Sequence, residues 1–337
     1  MKVLVLGGTQ FVGPPVVKSA LGRGWDVTCL HRGIVGTPPE GATSVIGDRT
    51  DPAVLAALAG EYFDIVVDTW SGAPSVARDA ARALAGSTGQ WAYVSSRSVY
   101  DWPLALGADE SAAVVDADPD AGETNYPADK RGAELAYERE LGVGRVVYLR
   151  AGLVLGPLEN IGRLPWWLRR IARGGEFLAP GPSDLPLQYV DARDLAIFAL
   201  DSARDGRSGP VNTVSQPGAT TMGAILTGCL VATGSDAVPV WVSASWLLER
   251  GVQPWTELPI WIPPESEDYA MHSGDSSLAA GWGLRIRPIA DTVSAAWAWV
   301  QSLDASGAVV VPPRSGTGLD PEREAELLRE WKATQNP

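Results

Sequence analysis

Val3-Leu4-Val5-Leu6-Gly7-Gly8-Thr9-Gln10-Phe11-Val12-Gly13 opens the chain as an apolar run that breaks directly into a glycine turn. A short buried strand, a turn and then a segment with apolar residues at Val12, Val16, Val17, Ala20 and Leu21 make the first strand-turn-helix unit of a dinucleotide-binding fold. Glycine lets the backbone approach a pyrophosphate, and the following helix N-terminus supplies free N–H donors. The fingerprint's middle glycine is replaced by Gln10, which still offers its backbone N–H, so the substitution alters how closely the phosphates approach. Pro14 and Pro15 fit only the first helical turn, which places the helix start near Val12. Gly7, Thr9, Gln10, Phe11, Val12 and Gly13 are therefore the candidate phosphate-side residues.

The 337 residues suit one large domain or two intimately joined ones. A formal net charge of -13 argues against nucleic acid or an anionic membrane as the main partner and in favour of small molecules. No apolar run reaches the roughly 18 residues of a membrane span, and Met1-Lys2 leads straight into a core strand, so a cytoplasmic protein is expected. Cys29 and Cys229 lie on apolar stretches without metal-ligand spacing and read as buried thiols. With His31 and His272 they offer no metal site.

The second strand, over Trp25 to Leu30, ends facing the adenosine ribose in this fold. An NAD site would place an acid there for the ribose 2′-hydroxyl; here the residues are His31-Arg32-Gly33, and Asp26 lies at the wrong end. Arg32 is a candidate for gripping a 2′-phosphate, with a solvated loop arginine as the plain alternative. Ser44 to Ile46 reads as the third strand, followed by Gly47-Asp48-Arg49. Asp48 and Arg49 stand on the adenine side, and Asp51 caps a helix through Leu58. Asp64 to Asp68, Ala73 to Ala85 and Trp91 to Val94 continue as strand, helix and strand, an alternation that predicts a doubly wound parallel sheet.

The fifth strand runs into Ser95-Ser96-Arg97-Ser98-Val99-Tyr100, and about 30 residues later comes Tyr126-Pro127-Ala128-Asp129-Lys130. Four residues apart on a helix, Tyr126 and Lys130 share one face. An ammonium in that position favours the phenolate and lets tyrosine shuttle a proton near neutral pH, while the lysine can also hold a cofactor ribose. The chain's lysines are Lys2, Lys18, Lys130 and Lys332 alone. With so few, chance supplies about a tenth of such a pair.

With glycine turn, serine and Tyr-x-x-x-Lys in order, the chain resembles the short-chain dehydrogenase/reductase superfamily over nearly its whole length, in the extended or atypical branch of epimerase/dehydratase and isoflavone-reductase-like proteins. The resemblance implies that Ser96 orients the substrate oxygen, Tyr126 is the catalytic acid/base and Lys130 its activator. It also places the segment from Arg150 to Pro157 under the nicotinamide, with Ala151 replacing the usual proline. Gln188 to Ala196 then resembles the return into the core, where Asp194 caps a helix.

The expected architecture is an α/β doubly wound Rossmann domain over residues 1–155, rejoined by 188–215. A smaller substrate-binding part spans 156–187 and 216–310, and 311–337 is a connector and last helix capped by Asp320. Trp166, Trp167, Trp241, Trp246, Trp255 and Trp261 read mostly as core, with some lining a cleft that suits a flat substrate. Arg163 to Arg173 offers either a diphosphate grip or a solvated helix face. The expected function is an NADP(H)-dependent oxidoreductase, with NAD(H) as a possible cofactor. Its substrate is a small, apolar or aromatic carbonyl or alcohol, and the protein is a monomer or homodimer. The alternatives are a nucleotide-sugar epimerase with retained cofactor and, from another class, a non-catalytic dinucleotide- or RNA-associated protein.

Overall fold

The opening apolar run forms β1 (Lys2–Leu6), whose residues after Lys2 are all buried, as a central strand covered on both faces requires. The computed structural model describes residues 1–306 and 317–335. Around β1 stand β2 (Asp26–His31), β3 (Thr43–Ile46), β4 (Phe63–Asp68), β5 (Thr88–Ser96), β6 (Val146–Ala151) and β7 (Gly209–Thr213). They make one parallel seven-stranded sheet in the order β7-β6-β5-β4-β1-β2-β3. The chain leaves β1 toward β2 on one side and later returns to β4 on the other. That reversal opens a crevice at the carboxyl ends of the two halves.

Alternation along the strands assigns each face its own core. Val3 and Val5 pack with α1 (Gly13–Gly22), through Val16, Val17 and Ala20, and with a later helix, Ala192–Arg204. Leu4 and Leu6 face the opposite way, onto α2 (Pro52–Leu58), α3 (Pro74–Leu84) and α4 (Tyr126–Leu141). Asp51 caps α2 as expected, its carboxylate accepting the N–H of Ala53 at 2.8 Å. With that later helix, Ala192–Arg204, counted as α6, a third core gathers α5 (Arg163–Ala172), α7 (Met222–Thr233) and α8 (Ile289–Ser306) near a parallel strand pair, Glu176–Pro180 with Val238–Val242. Trp167 and Trp261 are fully enclosed in it.

Two local expectations change. The strand that ends in Ser96 begins at Thr88, because Thr88, Gln90 and Trp91 already pair with β4. Asp194 does not cap α6: Asp191 does, accepting the N–H of Arg193 at 2.8 Å, while Asp194 receives the backbone N–H and guanidinium of Arg287 at 2.6–2.9 Å. Glu134, in the middle of α4, is a charged residue of the interior. It is buried, and it accepts hydrogen bonds from Ser95 at 2.7 Å and from Arg150 at 3.1 and 2.9 Å. Asp320 caps the last helix, α9 (Pro321–Gln335), whereas residues 311–316 of the connector expected up to Gly318 lie outside the described residues. Cys29 and Cys229 are free buried thiols, and burial pushes Cys29 up to about 12. Among the described residues no helix is long and apolar enough to cross a membrane, and no His/Cys/Asp/Glu group has the makings of a metal site.

Candidate active site

A cleft of about 840 Å³ opens at the carboxyl ends of β1, β2, β4, β5 and β6. Its floor is the glycine turn. Gly7 has φ +106°, and a Cβ there would stand 2.3 Å from the hydroxyl of Thr69, which itself bonds the Leu6 carbonyl. A Cβ on Gly13 would lie 2.1 Å from the Gly7 carbonyl oxygen, so α1 can seat against the turn only with glycine at this point. Thr9, Gln10, Phe11 and Val12 line the cleft, and Gly13 packs beneath them. The N-cap position of α1 is Val12, without a side-chain cap, and Pro14 and Pro15 follow in its first turn. The helix therefore presents an uncapped positive end toward the cleft.

At the end of β2 the expected ribose-side residues divide their work. The buried His31 ring accepts the Gly33 N–H at Nδ1 (3.2 Å) and meets the Ser44 hydroxyl at Nε2 (2.7 Å), tying β2 to β3. Arg32 is exposed on the cleft wall beside Asp48. Asp48 closes a turn on the backbone N–H and hydroxyl of Thr50, which hold its carboxyl below the ordinary range. Arg49 reaches the cleft wall as well, but its guanidinium is spent on a bidentate bond to buried Asp68 at 2.8 and 2.6 Å and lies over the Trp70 ring. Burial alone would raise the Asp68 carboxyl; Arg49 and the Tyr137 hydroxyl, 2.6 Å away, hold it low instead. Thr69, Trp70 and Ser71, which follow Asp68, also line the cleft. They went unnoticed in the sequence, although their place just beyond the strand next to β1 was the available signal.

Ser96, Tyr126 and Lys130 share one wall with Ala151. Asn125 caps α4 by accepting the Ala128 N–H at 3.1 Å, so Tyr126 begins the helix and Lys130 follows one turn on. Lys130 is buried, and its ammonium donates to the carbonyls of Trp70 (2.6 Å) and Val94 (2.7 Å). Burial lowers its pKa to about 7, against the opposing pull of Asp68 and Glu134. The ammonium lies 5.9 Å from the centre of the half-exposed Tyr126 ring. Ser96 Oγ accepts the Ser98 N–H and bonds the Ser98 hydroxyl, both at 3.1 Å. An ammonium with two carbonyl partners keeps a third N–H for a ligand.

The far end of the cleft is made of side chains from distant segments: Val154, Asn160, Ile161, Arg163, Trp255 and Met271. Of the candidate arginines on α5, Arg163 faces the cleft, its guanidinium 4.5 Å from the Trp255 ring centre. Arg169 instead bonds Asp304 and Arg170 bonds Glu324, which fastens α5 to α8 and α9. Met271 is held from behind by fully buried Arg97, which donates to the carbonyls of Met271 (2.8 Å) and Ala270 (3.1 Å). The adjacent His272 accepts the Gln188 N–H at Nδ1 and donates from Nε2 to the Ile260 carbonyl, and burial lowers its pKa to about 4.

The NAD dependent epimerase/dehydratase family matches residues 3–214, a stretch that contains the glycine turn, Ser96, Tyr126 and Lys130. The chain belongs to this family. It is thus a member of the extended short-chain dehydrogenase/reductase branch, with that branch's Rossmann sheet. No curated protein matches it in sequence. Among solved structures it is similar to UDP-glucose 4-epimerase of Thermotoga maritima with UDP-glucose (15% identity, 90% of this chain and 99% of that one, TM-score 0.63). It is also similar to UDP-N-acetylglucosamine 4-epimerase of Bacillus cereus (19%, 89% and 99%, TM-score 0.63). A third similar structure is the Bordetella bronchiseptica enzyme WbmG in complex with NAD (19%, 92% and 96%, TM-score 0.65). At such identities these likenesses speak for the family's fold.

Proposed function

We propose that the protein is an NADP(H)-dependent oxidoreductase of a small carbonyl or alcohol, with Ser96, Tyr126 and Lys130 as its reacting site. The observation that carries this reading is the buried Lys130 ammonium, fixed by two carbonyls one helical turn from Tyr126 in the wall of the cleft. The glycine turn fits a dinucleotide: it leaves no room for a Cβ at Gly7 or Gly13, and the uncapped α1 N-terminus stands behind Thr9, Gln10, Phe11 and Val12. Arg32, with no acid at the carboxyl end of β2 to compete for a ribose hydroxyl, selects a 2′-phosphate. His31, Asp48 and Arg49 shape the adenosine side, and Ala151 borders the nicotinamide side.

A bound nicotinamide supplies the hydride donor or acceptor in this site. The chain's own residues do the rest. Ser96 donates a hydrogen bond to the substrate oxygen. Tyr126 delivers a proton to that oxygen in reduction and removes it in oxidation. Lys130 holds the ribose with its remaining N–H and, when charged, favours the tyrosinate. Residues 1–155 with 188–215 serve as the cofactor domain, and 156–187 with 216–310 as the substrate part.

A second reading, a nucleotide-sugar epimerase with retained cofactor, draws on the solved relatives and on Arg163 at the cleft. The test is a panel of apolar and aromatic carbonyls and nucleotide sugars with NADPH, followed by cofactor absorbance and product analysis. Tyr126→Phe should lower turnover of any accepted substrate by a factor of about 10² to 10⁴ with cofactor affinity little changed. Undiminished turnover would remove Tyr126 from the chemistry.

A further inference from the structure

The loop between β6 and α5 carries Glu159, which is 1% exposed. Its carboxylate accepts the backbone N–H groups of Arg163 at 2.7 Å and Leu164 at 3.1 Å, the first donors of the ten-residue α5. The N-cap of that helix is Gly162, in the left-handed region with φ 94°, and it brings no capping side chain of its own. Glu159 thus takes the place where the positive end of the helix would otherwise receive an external anion. Its chain neighbours Asn160, Ile161 and Arg163 line the substrate end of the cleft.

We propose that Glu159 is a specificity-determining residue: it fills the anion position at the substrate end of the cleft from within the chain, so that the cleft selects an uncharged, flat alcohol or carbonyl over a diphosphate ester. The inference rests on the reading above, in which substrate lies beside the dinucleotide in this cleft.

Three further observations agree with it. Burial raises the Glu159 carboxyl to about 7 against the opposing pull of Arg163 and the backbone N–H groups, so negative charge is disfavoured at this position and a further anion alongside would meet the same cost. Arg169 and Arg170 are bonded to Asp304 and Glu324, so of the arginines on α5 it is Arg163 that lines the cleft. The surface offered instead is aromatic and apolar, with Trp255, Met271 and Ile161 at its centre. Trp255 has φ 65° and Ile260 φ 75°, conformations that side chains with a Cβ adopt only where the surroundings impose them. Here the Trp255 N–H donates to the Trp261 carbonyl at 2.9 Å and the Ile260 carbonyl accepts from His272, which presents the indole to the cleft as a fixed platform.

The probe is inorganic pyrophosphate, titrated calorimetrically into protein already saturated with NADPH, so that the cofactor's own phosphate site is filled. Wild type should show no binding at millimolar concentration. Glu159→Ala, which removes both the charge and the bulk, should bind pyrophosphate at least tenfold more tightly than wild type. Glu159→Gln, which removes the charge and keeps one acceptor for the helix, should gain about threefold. If Glu159→Ala does not fold, the Glu159→Gln comparison decides. Pyrophosphate binding by wild type as tight as by the variants, or no gain in a folded variant, would overturn the proposal. The preceding NADPH titration separates the two readings: without NADPH binding the proposed function fails, whereas NADPH binding with no pyrophosphate difference fails this inference alone.

Discussion

The two ends of the cleft are built by different means. The cofactor end is mostly backbone: a glycine turn without room for a Cβ, an uncapped helix start, and a lysine held by two carbonyls. The substrate end is side chain, assembled from Val154, Asn160 to Arg163, Trp255 and Met271, and braced from behind by Arg97, Glu159 and His272. Backbone geometry of the first kind tolerates few alternatives, so it leaves a compact trace in sequence. A wall of side chains can be rebuilt residue by residue, and with it the choice of substrate, while the fold stays as it is.

Each end contains one buried base with a lowered pKa, and the two should announce themselves in separate pH windows. Lys130 has its folded pKa lowered from 10.5 to about 7, so between those values the unfolded chain binds more protons and stability rises with pH. The slope is about 1.4 kcal/mol per pH unit at most, and the total is on the order of 5 kcal/mol. Lys130→Met should abolish that rise in urea unfolding measured from pH 7 to 10, and it should impair turnover and cofactor binding together. A slope equal to wild type would mean that the ammonium is solvated.

His272 gives the smaller effect at the other end. Its folded pKa is lowered from 6.5 to about 4, so the stability present above 6.5 is lost as pH falls toward 4, by about 3 kcal/mol in all. Arg97 nearby adds to the cost of protonation. The wild-type minus His272→Gln difference in unfolding free energy should shrink across that window; a constant difference would contradict the burial of a neutral ring.

Gly13→Ala should cost about 1–3 kcal/mol by overpacking and weaken dinucleotide binding more than tenfold, because its Cβ collides with the backbone of Gly7 and Gly8. Smallest of all is Arg169→Ala. The Arg169–Asp304 pair is 3.1 Å apart with side chains 41% and 62% exposed, so its removal should change stability by about 0.2–1 kcal/mol and ligand binding not at all. A selective loss of substrate affinity in that variant would restore α5 as a diphosphate grip.

The same contrast explains what sequence could and could not tell. The parallel sheet, α1 and the meeting of Ser96, Tyr126 and Lys130 in one cleft were legible because each depends on short spacings: an apolar run into glycines, a serine at a strand end, tyrosine and lysine one turn apart. Nothing in a helical repeat reveals that Ser95 and Arg150 meet Glu134 in the interior. The cap of α6 was misplaced by three residues, since Asp191 and Asp194 are chemically equal and only Arg287, far along the chain, claims the second. Trp255 and Met271 could not be joined to Arg163 from the sequence at all, because long loops bring them together. Glu159 had no signal beyond being an acid shortly before a helix.

The most direct measurement on the central claim, that the backbone-built end holds NADP(H), is calorimetric titration of wild type and Arg32→Ala with NADPH and NADH. A charge-assisted contact to the 2′-phosphate is worth about 1.5–3 kcal/mol, so wild type should prefer NADPH by about tenfold or more. Arg32→Ala should lose that preference while NADH binding stays unchanged. Binding of NADH as tight as NADPH to wild type would contradict the assignment of Arg32, and binding of neither would contradict the cofactor site itself.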